Sequence, residues 1–237
     1  LVGSEMCIRD STVYTVDLLG CGRSDKSSIT YTNFVYVQMI SDFIKKIIGQ
    51  KTDVIASGFS GSFVTMACHN EKELFNKIML VNPPSLTQLK QMPNRKDRLL
   101  KAALEIPIFG TLVYHMIVSR DNINNLFIEK MYYNPFHVDN QMADAYYEAA
   151  HKGGYYTRFL YSSLAAKYIN INICHALKAL DNSIYIVEGE TEPNGKAVTD
   201  DYCASNPAIE VSVLKETKHL PHVEAPEAFL EQVKIFF

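Results

Sequence analysis

Residues 53–70 constrain this chain more than any other stretch. Residues 53–56 are short, β-branched and apolar enough for a strand, and residues 63–70 read as a helix. Between them stands Ser57-Gly58-Phe59-Ser60-Gly61-Ser62. A serine flanked two places away by small residues, at a strand-to-helix junction, is the pattern a nucleophile needs. The turn is sharp, and only small neighbours let strand and helix approach closely. Gly58 meets that need on one side and Ser62, in place of a second glycine, on the other. Ser60 is the candidate nucleophile, Phe59 completes the turn, and the N–H of Gly61 is the candidate donor to a developing oxyanion.

The rest of the chain has the same alternation. Residues 12–17, 77–81, 183–187 and 209–214 read as strands. Thr32 or Asn33 can cap a helix with apolar residues Phe34, Val37, Ile40, Ile44, Ile47 and Ile48, closed by Gly49. Pro226 opens a last helix through Phe229, Val233 and Phe236. Strand and helix in turn predict an α/β fold: a mostly parallel sheet with helices on both faces. Residues 86–180 have helical periodicity and no strand pattern, with Tyr132-Tyr133, Tyr146-Tyr147 and Tyr155-Tyr156 expected to pack helices together. The organisation expected is a core over 12–85, a helical cap over 86–181 and the rest of the core over 182–237.

Composition narrows the function classes. The 237 residues are 47% hydrophobic and 21% charged with net charge −3, which excludes a disordered tail and a basic nucleic-acid surface. No run reaches the length of a membrane span. Residues 1–11 have neither strand nor helix periodicity, resemble a translated sequencing adapter and are expected to be non-native. Without Cys7, the widely spaced Cys21, Cys68, Cys174 and Cys203 fit reduced thiols and a cytoplasmic location.

A serine nucleophile needs a base, and the base an acid. Glu188-Gly189-Glu190-Thr191-Glu192 follows the strand at 183–187, and Lys218-His219-Leu220-Pro221-His222 follows the strand at 209–214. Other readings are weaker. Pro221 interrupts a metal pair of His219 with His222, which is expected to be structural. Asp25 stands where a dinucleotide-binding loop after Gly20 and Gly22 needs a third glycine. Asn82 marks an alternative acid position, but an amide carries no charge to stabilise imidazolium. No cofactor and no metal is expected.

Three ordered motifs carry a resemblance: residues 17–25 (DLLGCGRSD), the serine turn, and residues 219–227 (HLPHVEAPE). Together they resemble the α/β-hydrolase superfamily, in its esterase, lipase and thioesterase-like group with a helical cap. The resemblance implies Ser60 as nucleophile, His219 as base, and Glu192 as acid with Glu190 behind it. It implies cleavage of a small apolar acyl ester or thioester through an acyl-enzyme, with acyl transfer or a non-catalytic binding role on the same scaffold as alternatives. Met92, Ile108, Phe109, Tyr114, Met116 and Phe127 are the expected acyl pocket. Phe59 replaces a frequent histidine, Lys218 a frequent glycine, and the family's oxyanion loop has no counterpart. By the same resemblance, N-terminal strands are expected to be missing, a central one among them, leaving a fragment poorly folded or inactive.

Overall fold

The computed structural model describes residues 12–138 and 140–237, so the segment 1–11 lies outside the described residues. Four strands form one parallel sheet in chain order: β1 (Thr52–Ser57), β2 (Phe75–Val81), β3 (Ile184–Gly189) and β4 (Glu210–Leu214). Ser57 pairs with Val81, Val81 with Val187 and Gly189 with Leu214. Every strand therefore ends on the same side. In open sheets of this kind, the loops beyond the carboxyl ends build the site.

Helix α1 (Asn33–Phe43) continues in a π turn to Ile48 and stops at Gly49, whose φ of 73° only a glycine adopts readily. Helix α2 (Phe59–Asn70) joins β1 to β2. Between β2 and β3 the chain is helical: α3 (Leu86–Leu89), α4 (Arg95–Glu105), α5 (Pro107–Ile117), α6 (Arg120–Leu126) with a π turn to Met131, α7 (Asn140–His151), α8 (Thr157–Ala165) and α9 (Cys174–Ala179). Helix α10 (Gly195–Ser205) joins β3 to β4, and α11 (Pro221–Glu224) and α12 (Pro226–Phe236) close the chain. No single described helix is long and apolar enough to cross a membrane.

Burial explains the layers. All six residues of β3 are buried, as in a strand covered on both faces. One face packs Tyr36, Phe63, Leu80, Ile186 and Tyr202 in a single cluster, and the other packs Met79, Tyr185, Val187 and Leu214 against Phe229, Val233 and Phe236 of α12. A third cluster joins Ile123, Phe127 and Tyr132 of the helical segment to Leu220.

Two expectations need correction. Residues 12–17 form no strand, and β1 is left as one edge of the sheet, where Ile55 is 46% exposed. The hydrogen bonds of Asp17 go into the glycine turn instead: its carboxylate accepts from the Arg23 N–H at 2.8 Å and its carbonyl from the Ser24 hydroxyl at 2.6 Å. The second correction concerns α2. It starts at Phe59, four residues before the helix read from the sequence, and so takes in Ser60, Gly61 and Ser62.

Candidate active site

The turn after β1 is made by one residue. Gly58 has φ 56° and ψ −131°, a conformation costly for any residue with a Cβ, and its N–H donates to the Val81 carbonyl at 2.9 Å. The chain reverses there in a single step, which is why the helix begins at once. Ser60 is the second helical residue, and its hydroxyl donates back to the Ser57 carbonyl at 2.8 Å. Ser62 donates likewise to the Phe59 carbonyl at 2.6 Å. These are local bonds of a first helical turn. The expectation of a strained, projecting serine at position 60 is thus corrected: the strain sits at Gly58. Gly61 differs from expectation too, because its N–H donates to the Gly58 carbonyl at 3.1 Å. Its lack of a side chain is used in packing, for a Cβ there would come 3.1 Å from Leu80 Cδ2. Phe59 packs against the sheet core.

His219 and Glu192 meet. The Nδ1 of His219 lies 3.1 Å from Glu192 Oε1, on two loops that leave adjacent strands. The Glu192 loop is a tight turn in which the Glu192 N–H donates to the Gly189 carbonyl at 3.0 Å, and the Thr191 N–H donates to the Thr217 carbonyl at 3.0 Å. With Nδ1 donating to a carboxylate, the lone pair of a neutral imidazole is at Nε2. Glu190 is turned elsewhere: its Oε2 accepts from the Glu216 N–H at 2.9 Å. Behind the pair lies buried Glu188, whose carboxyl burial pushes above the usual range, with Glu192's negative charge adding to the rise and a Thr199 hydrogen bond opposing it. Gly195 makes room for this carboxyl, since a Cβ there would sit 1.9 Å from Glu188 Oε1.

The sequence reading missed the groups that hold His219 in place. Asn82 is buried at the end of β2, with φ 42°. Its Nδ2 donates to the carbonyls of Lys218 and His219 at 2.8 and 2.9 Å, and its Oδ1 accepts from the Gly189 N–H at 3.0 Å. Asn82 follows Val81, the residue that holds Gly58. The turn and the base are therefore fixed to two consecutive residues. On the other side, Glu224 accepts from the Lys218 N–H at 2.7 Å and the Tyr133 N–H at 2.6 Å. The His219 N–H donates to the Met131 carbonyl at 3.1 Å, and Lys218 Nζ donates to the Glu129 carbonyl at 2.5 Å. This bond gives the unexpected lysine before His219 a structural task.

Other expected positions diverge. Tyr114 and Phe127 are buried, while Met92, Ile108, Phe109 and Met116 are exposed, so the six do not line one enclosed pocket. His222 is partly buried, and burial and then the charge of His219 lower its pKa. Among the described residues, no group of three or more His, Cys, Asp or Glu side chains could hold a metal ion.

The sequence model of the alpha/beta hydrolase family matches residues 6–232. Similar solved structures include a carboxylesterase of the thaumarchaeon Nitrososphaera gargenis, 16% identical over 93% of this chain and 77% of that one, with a TM-score of 0.66. The 2-hydroxy-6-oxo-6-phenylhexa-2,4-dienoate hydrolase of Rhodococcus sp. strain RHA1 is 16% identical over 93% and 78%, with a TM-score of 0.70. A bromoperoxidase of Bacillus anthracis is 11% identical over 92% and 78%, also with a TM-score of 0.70. At these identities the likeness is one of fold. No curated protein matches the sequence.

Proposed function

The chain belongs to the alpha/beta hydrolase family, and from that premise we propose that it hydrolyses a carboxylic ester or thioester, with His219 moving the proton and Glu192 holding His219. The observation that carries the reading is the 3.1 Å contact of His219 Nδ1 with Glu192 Oε1 at the carboxyl end of the sheet, the end at which the Gly58 turn also lies. A carboxylate at Nδ1 fixes the tautomer that accepts at Nε2, and stabilises the imidazolium formed when the nucleophile gives up its proton. The imidazolium then returns that proton to the leaving alcohol or thiol. An acyl-enzyme on Ser60, expected from the sequence, has the geometry against it, because the Ser60 hydroxyl donates to the Ser57 carbonyl at 2.8 Å.

A second reading, a ligand- or partner-binding protein on the same scaffold, is favoured by one observation: the residue at the strained turn is glycine, with no side chain to act. Initial rates on p-nitrophenyl acetate and on an acetyl thioester separate the two readings. The hydrolase reading expects turnover that falls about 10²-fold or more in His219→Ala. Equal rates in the two proteins, or no rate above buffer, leave the binding reading.

A further inference from the structure

The nucleophile of the proposed reaction can be located from the backbone. A nucleophilic side chain in a strand-to-helix turn owes its exposure to the strained residue at the apex, because that conformation throws the side chain clear of both elements. In this chain the apex is Gly58: β1 ends one residue before it and α2 begins one residue after it. A Cβ built on Gly58 would meet no heavy atom within 4 Å, so it would project into open space at the sheet's carboxyl end. Gly58 is also linked to the base through two consecutive residues: its N–H is held by the Val81 carbonyl, and the next residue, Asn82, holds the carbonyl of His219. Ser60 has neither property. It lies inside α2, and its hydroxyl donates to the Ser57 carbonyl at 2.8 Å.

We infer that Gly58 occupies the nucleophile's position and that the hydrolysis is direct, with a water placed over Gly58 and deprotonated by His219 attacking the acyl carbon. This deepens the hydrolase reading and rests on it. As the water oxygen bonds to the carbonyl carbon, its proton passes to His219 Nε2, while Glu192 keeps its bond to Nδ1. The tetrahedral oxyanion collapses, the C–O or C–S bond breaks, and the imidazolium protonates the leaving oxygen or sulfur. The products are a carboxylic acid and an alcohol or thiol, and no bond to the protein forms. A glycine suits this use of the turn, since the absent Cβ leaves the oxygen's place to solvent.

The test combines labelling with turnover, using a fluorophosphonate probe and p-nitrophenyl acetate. The purified wild-type chain is expected to hydrolyse the ester without taking up the probe, and Ser60→Ala to keep its rate within about twofold. Gly58→Ser is expected to gain one probe per chain, mapped to position 58, and to lose it again when combined with His219→Ala. Gly58→Ala has the same backbone cost without a nucleophile, so its thermal unfolding separates strain from chemistry. Probe mapped to Ser60 in the wild type, or loss of turnover in Ser60→Ala, overturns the inference even if Gly58→Ser fails to fold. If the wild type has no turnover but Gly58→Ser is labelled through His219, the placement of the nucleophile stands and the hydrolase reading is what fails.

Discussion

Asn82→Gly is expected to destabilise the protein and to loosen the base, and its cost can be built from the bonds. The carboxamide makes three of them: from the buried Gly189 N–H, and to the carbonyls of Lys218 and His219. Leaving a buried N–H without an acceptor costs about 1–3 kcal/mol. The two carbonyls are part-buried, so water recovers part of their loss, and about 0.5–1 kcal/mol each remains. The sum is about 3 kcal/mol, which for a chain of this size lowers Tm by about 6–12 °C. Glycine accepts the φ of 42° freely, so Asn82→Gly removes the bonds without adding left-handed backbone strain. Asn82→Ala adds the left-handed backbone term, about 1–2 kcal/mol more. Urea titration followed by far-UV circular dichroism measures both. The ester rate of the folded fraction of Asn82→Gly should also fall, because the carbonyls on either side of the 218–219 peptide lose their holder. A loss below about 1 kcal/mol for Asn82→Gly, with an unchanged ester rate, would show that the Asn82 carboxamide does not hold the base.

Glu192→Gln keeps the packing but removes the charge at Nδ1, and should cost about 10²-fold in turnover, whereas Glu190→Gln, facing the Glu216 N–H, should leave the rate near wild type. Initial rates of the two variants decide which carboxylate serves His219. Glu224→Ala removes the acceptor shared by Lys218 and Tyr133, and hydrogen exchange of both amides should speed up together; exchange at only one of them would show that Glu224 does not couple the two segments. The pKa of His222 is lower in the fold than when unfolded, so its contribution to stability is fully present above about pH 6.5 and is lost as pH falls through the folded value. His222→Phe should flatten that acid limb in a series of urea titrations, and an unchanged limb would exclude His222 as its source. Glu188 has the opposite sign: its raised pKa makes ionisation destabilising as pH rises through the folded value, so Glu188→Gln should gain stability relative to wild type at alkaline pH.

The sequence was most informative where pattern and burial coincide. The apolar run of β3 has no other use than a strand covered on both sides, and its loop places Glu192 where it meets His219. The strand expected at residues 12–17 had the composition but no partner, and strand propensity without pairing does not make a strand. The serine turn misled for a related reason. A cluster of Gly and Ser looks alike wherever its single strained residue falls, and which residue has φ above zero is settled by where the strand stops and the helix starts. In this chain Gly58 does the turning and Ser60 is already helical. Asn82 was visible as a polar residue at a strand end, but its use is in donating two hydrogen bonds to a loop 136 and 137 residues away, which no local pattern records. Glu224 is hidden similarly, because its partner Tyr133 is 91 residues away.

In the hydrolysis proposed above, His219, held by Glu192, acts from the position of Gly58 without a covalent intermediate. Intact-protein mass spectrometry of the chain quenched in acid during steady turnover of an acyl ester tests this most directly. Turnover is expected to depend on His219, with the protein's mass unchanged throughout. A mass increase of one acyl group, mapped to Ser60, would contradict it.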